Sequence, residues 1–121
     1  MKKRVIIESP MFTRVDGTRC GPAEIERNMR YLKRATLDSI RRGEAPFASC
    51  LIYPQVLNDA TPEERRDGIE SGFAWAEVAE GAVVYCDHGI SDGVAEGIAR
   101  HDENGLEIEH RYIGPEPELA S

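Results

Sequence analysis

The stretch Gly81-Ala-Val-Val-Tyr-Cys86 is an unbroken apolar run, and it limits the possible folds more than any other part of the chain. A strand with one wet face alternates apolar and polar residues. A strand with no polar position has to be covered on both faces. Covering both faces takes helices on either side of a mostly parallel sheet, and the flanking sequence supplies them.

Arg4-Val-Ile-Ile-Glu8 is a short β-branched strand ended by Ser9-Pro10. Residues 11 to 22, with Asp16-Gly17-Thr18 and Gly21-Pro22, read as a long loop of the kind that often carries function. Pro22 suits the first turn of a helix running to about Arg42, with Gly43 as its C-cap. Ile25, Met29, Leu32, Thr36, Leu37 and Ile40 would form its buried stripe. Ala45 to Tyr53 is expected as a second strand, leading into a loop at Pro54. Thr61-Pro62-Glu63-Glu64 opens a second helix, with Ile69, Phe73, Ala76 and Ala79 as its apolar face. After the central run comes the loop Asp87-His88-Gly89-Ile90-Ser91. Ser91 or Asp92 caps a third helix to about His101, and a last strand alternates over Leu106 to Ile113.

The expected fold is therefore a flavodoxin- or Rossmann-like three-layer α/β sandwich, with a mostly parallel sheet of four to five strands. Residues 1–114 form a single domain and 115–121 a flexible tail. The chain has 121 residues, 40% hydrophobic and 31% charged, enough for one such core. A net charge of −7 argues against a nucleic-acid polymer as partner but leaves room for a single nucleotide in a local pocket. The basic cluster Arg27, Arg30, Lys33, Arg34, Arg41 and Arg42 is expected to be a solvated helix face. No stretch approaches the roughly 18 apolar residues of a membrane span. Three cysteines without framework spacing fit free thiols in a cytoplasmic, reducing setting.

Ligands of open α/β sheets lie beyond the carboxyl ends of the strands. That rule selects Glu8, Ser9 and Pro10, then Ser49, Cys50 and Tyr53, then Cys86, Asp87 and His88. The helix start Ser91-Asp92-Gly93-Val94 completes the set. Backbone N–H groups at a helix start suit a phosphate or carboxylate, and the same glycine and serine are also ordinary capping chemistry. Cys86, Asp87 and His88 with Cys50 are a weak metal candidate, since no CxxC pair accompanies them. A Cys86–His88 nucleophile pair has no accompanying oxyanion site. No metal and no cofactor is expected. His101 and His110 are expected to be solvated, and Trp75 to pack in the core or between subunits rather than on a base.

Several segments resemble the nucleoside 2-deoxyribosyltransferase superfamily, including the deoxynucleoside 5'-monophosphate N-glycosidases, and short phage and actinobacterial domains related to them. The matching pieces are Glu8-Ser9-Pro10, Gly43-Glu-Ala-Pro-Phe-Ala-Ser49, Phe73-Ala-Trp75 leading into Ala82-Val-Val-Tyr-Cys-Asp87, and Ser91-Asp-Gly-Val-Ala-Glu-Gly-Ile98. The resemblance implies phosphate contact at Ser91 and Gly93, and a homodimer. It also implies a nucleophilic glutamate six residues after the serine. Here that position is Gly97, and Glu96, one step earlier, is rotated by about 100° on a helix. The resemblance places a second acid at Gly72. The expectation is thus a domain that binds a nucleotide or nucleotide-like molecule around Ser9, Pro10, Ser49, Asp87, Ser91, Gly93 and Val94, with no reaction required. The alternatives are a nucleoside or nucleotide N-glycosidase or deoxyribosyltransferase using Glu96, Glu8 or Asp87, and a phage-encoded protein that sequesters a host signalling nucleotide or host protein.

Overall fold

A computed structural model describes residues 1–118. Its order is β1 (Arg4–Glu8), α1 (Pro22–Arg41), β2 (Ala45–Phe47), two 3-10 turns (Ser49–Leu51 and Tyr53–Gln55), α2 (Pro62–Ala76), β3 (Gly81–Tyr85), α3 (Asp92–Glu103) and β4 (Glu107–Arg111). The strands form one sheet in the order β2-β1-β3-β4, and every pairing is parallel.

β1 and β3 lie at the centre, which explains why the middle of β1 and all of β3 are apolar and buried. Their side chains alternate between the two faces. Val5, Ile7, Val83 and Tyr85 point to α1 and pack with Tyr31, Leu32 and Ala35. Ile6 and Ala82 point the other way, toward α2 and Ala76. Val84 joins them on that face and meets Val94 of α3. One helix therefore covers one face and two cover the other, the three-layer sandwich expected from the sequence.

Three details differ from the sequence reading. β2 stops at Phe47 and not at Tyr53, because the chain turns at Ala48 and its next amides bond within the turn (Leu51 N–H to the Ala48 carbonyl, 3.0 Å). The α1 stripe is rotated: Asn28, Tyr31, Leu32, Ala35 and Ser39 are buried, while Leu37 and Ile40 are exposed. Trp75 is half exposed and not in the core; its indole N–H donates to the Tyr53 hydroxyl at 2.9 Å.

The basic face of α1 is partly engaged. Arg30 pairs with Glu116 at 2.6 Å, and Arg34 donates to the Pro115 carbonyl at 3.1 Å. Of the segment expected to be loose, residues 115–118 run along α1 through these contacts. Residues 119–121 lie outside the described ones.

Candidate functional site

Strand parity decides what reaches the site. Glu8 shares the face of Ile6, so its carboxylate emerges at the carboxyl end of β1 between α2 and α3. There it meets two residues one turn apart on α3. Gly97 lies directly against it: a Cβ at that position would sit 2.7 Å from the Glu8 carboxyl carbon. His101, buried completely, has its Nε2 2.9 Å from Glu8 Oε1. The Glu8 side chain keeps about 20% exposure, toward a cleft.

That cleft is lined by Glu8, Ser9, Phe12, Thr13, Ser49 and Cys50 on one side. Across from them are Arg65, Ile69, Gly72, Phe73, Gly93 and Gly97. Its enclosed part is about 90 Å³, well below the ~300–1,000 Å³ of sites that hold a whole drug-sized ligand. Anything larger than a sugar ring must extend into the adjoining hollow, walled by Tyr53, Pro54 and Leu57.

Gly72 of α2 and Gly97 of α3 have the same cause. Gly72 faces Ser49, whose Cβ would lie 3.0 Å from a Cβ on Gly72. Thus Glu8 occupies the space over position 97 and Ser49 the space over position 72. These are the positions where the resemblance implies acids.

At the start of α3, Ser91 is buried and its Oγ caps the helix by accepting from Val94 N–H at 3.3 Å. The loop before α1 folds onto this end as a small hairpin, with a Thr13–Arg19 bridge and a turn at Gly17 (φ +84°). Glu24 holds the hairpin: it accepts from Gly21 N–H at 3.1 Å and pairs with Arg14, and its carboxyl is drawn down to about 2. The Arg14 carbonyl accepts from Asp92 N–H at 3.2 Å, and the Thr13 hydroxyl accepts from Gly93 N–H at 3.4 Å. The helix N–H groups are therefore covered by the hairpin, the Gly93 contact being the long one. Arg65 stands beside them, its guanidinium 3.8 Å from where a Gly93 Cβ would be. Asp59 holds Arg65 at 2.8 Å and Arg19 at 3.0 Å, two guanidinium groups on one carboxylate oxygen. Ser9 is nine-tenths buried at the same cleft, and its hydroxyl has no partner among the described residues.

Of the residues singled out from sequence, the cleft brings together Glu8, Ser9, Ser49, Ser91, Gly93 and, at its rim, Glu96. Glu96 is exposed and bound by Arg66 at 2.9 Å, as its helical phase implied. Asp87, expected among the ligand-binding and catalytic residues, lies elsewhere: it shares the parity of Val83 and Tyr85 and faces α1. Its carboxylate accepts from the Tyr31 hydroxyl at 2.6 Å and from the Ile113 and Gly114 N–H groups at 2.9 Å. Burial opposes its charge, but these hydrogen bonds prevail and hold the carboxyl below the usual range. Val94 is core, and Pro10 lines a separate hollow with His88 and Arg27.

Cys50 reaches the cleft, but burial pushes its thiol up to about 12, with Glu8 and Asp59 adding to the effect. It is a poor nucleophile there. Cys86 is raised by burial as well and donates to the Val84 carbonyl, while His88 stacks on Tyr31 at 4.4 Å. Among the described residues no group of three or more His, Cys, Asp or Glu side chains could hold a metal ion, and no helix is long and apolar enough to cross a membrane.

His101 is the residue the sequence reading missed; it is buried, not solvated. The available signal was spacing: Gly93, Gly97 and His101 recur every fourth residue and share one face of α3.

Fold and site together define a parallel α/β domain whose central strands open on an acid-bearing cleft at the point where the strand order reverses. The chain belongs to the family described as Domain of unknown function (DUF7768), whose model matches residues 3–111, from β1 through β4. No curated protein matches it.

Proposed function

We propose that the cleft binds a nucleotide or nucleotide-like small molecule, with the sugar over Glu8 and the anionic end toward Arg65 and the start of α3. The observation that carries this reading is the convergence, in one cleft, of the Glu8 carboxylate and the Arg65 guanidinium with the Ser9 hydroxyl, which has no partner among the described residues. A sugar offers hydroxyls to the first and a phosphate offers charge to the second. Phe12, Ile69 and Leu57 provide apolar walls for a base. An entering phosphate would take the Gly93 N–H from Thr13, exchanging a 3.4 Å contact for a charge-assisted one.

Calorimetric titration with deoxynucleoside 5'-monophosphates and the matching nucleosides tests the reading. The monophosphates should bind more tightly, and Arg65→Ala should cost them at least about tenfold, the loss of one charge-assisted contact. Gly93→Val should block the same end while the fold persists, since a Cβ there meets nothing closer than 3.6 Å. Affinity unchanged in both variants would remove the site.

The placement of Glu8 favours a second reading, N-glycosidase chemistry at this cleft. Tight binding with no turnover would instead fit a protein that sequesters its nucleotide. A homodimer accompanies either reading, supported by exposed Ile52, Val56, Trp75 and Val78. A cytoplasmic location is supported by the three free cysteines.

A further inference from the structure

We infer that Glu8 is the cleft's general base and that His101 is its positioning residue; the inference rests on the nucleotide reading. Three observations on different elements agree. The carboxylate sits on β1 in space that exists only because α3 has no side chain at Gly97. One of its oxygens is bound by an imidazole that is fully buried and whose Nδ1 has no partner among the described residues. Phe73 closes the other side, edge-on to His101 at 5.8 Å and covered by the Arg100 guanidinium at 4.3 Å. His101 therefore cannot reach a ligand, and the one group it orients is Glu8, whose second oxygen is left for the cleft.

The other acids lining this cleft, and Asp87, are committed elsewhere. Asp59 is held by Arg65 and Arg19, Glu96 by Arg66, and Asp87 lies on the far face of the sheet. Glu8 is the carboxylate positioned to take a proton from a water above it. The water oxygen bonds to the sugar carbon that carries the base. The carbon–nitrogen bond breaks and its electron pair leaves with the base, which takes a proton from solvent. The proton on Glu8 returns to solvent through the cleft. No oxidant, reductant or metal enters this balance. Ser49 over Gly72 adds a hydroxyl but no second acid, so the cleft holds one working carboxylate.

The test measures nucleotide binding by calorimetry and base release by chromatography on the same samples, using a panel of deoxynucleoside and ribonucleoside 5'-monophosphates. Wild-type protein should bind and release base. Glu8→Gln, which keeps one acceptor for the sugar, should bind with no more than about tenfold loss and lose release by about 100-fold or more. His101→Leu should lower kcat about tenfold with KM unchanged, and His101→Gln, which keeps an N–H donor, should recover most of it. Should His101→Leu fail to fold, Gly97→Ala serves the same purpose. Its methyl displaces the carboxylate, so release should fall while binding holds. Glu8→Ala combined with Gly97→Glu, which offers the carboxylate from the helix, should regain part of the activity. Binding without base release, or a Glu8→Gln variant as active as wild type, overturns the inference and leaves the nucleotide reading standing. Absence of binding by any member of the panel overturns both.

Discussion

Glu8 and Asp87 both stand at the carboxyl edge of neighbouring strands, yet they work on opposite faces of the sheet. Counting from the buried residues explains it: 8 follows Ile6 toward α2 and α3, whereas 87 follows Tyr85 toward α1. The carboxyl-end rule finds strand ends without regard to face, which is why Asp87 entered the sequence-derived site. Asp87→Ala would strand the Tyr31 hydroxyl and two backbone N–H groups. We expect a loss of about 2–3 kcal/mol in urea unfolding, with nucleotide affinity unaffected. His101 was illegible for a different reason. A histidine near a helix end is usually wet, and its partner lies at the other end of the chain.

At the scale of elements, the order of strands and helices, the capping serine of α3 and the glycine that ends α1, which follows the Arg42 C-cap with positive φ, were all legible, because each depends on local chemistry. The phase of α1 was not. Its apolar stripe pointed to Leu37 and Ile40, but the buried face is built around polar contacts: Asn28 donates to the Met11 carbonyl at 2.9 Å, Tyr31 to Asp87, and Ser39 to Glu44 at 2.8 Å. Nothing in a hydrophobicity pattern reports such contacts. Two substitutions separate the phases. Leu37→Ser should change stability by no more than about 0.5 kcal/mol. Ala35→Leu, at a fully buried position, should cost about 1–3 kcal/mol through overpacking. Both are read from the urea midpoint.

On the scale of the whole molecule, the two edge strands are joined on the α1 face. Arg111 of β4 forks onto Glu44, just before β2, with both contacts at 2.7 Å, and also binds the Tyr85 hydroxyl. Arg111 pulls the Glu44 carboxyl down against its burial, with Ser39 helping. Asp87 is lowered as well. A carboxyl lowered on folding stabilises the fold fully above its unfolded value, near 4, and that contribution fades as pH falls through the folded value. The contribution of these two carboxyls should therefore be level above about pH 5 and decline steadily below about pH 4, read as the acid limb of the urea midpoint. Arg111→Met should cost about 1–3 kcal/mol at neutral pH, since it leaves the part-buried Glu44 carboxylate with only the Ser39 hydroxyl. It should also flatten the acid limb.

The contact between Glu8 and Gly97 reaches beyond this one chain. Two side chains cannot fill the same few cubic ångströms, so a relative that grows an acid out of the helix has to turn aside or shorten the residue that ends its first strand, and the reverse. The two positions, far apart in the gene, become a single heritable choice. Chains of this family should divide into two lineages according to which side of the cleft supplies the charge.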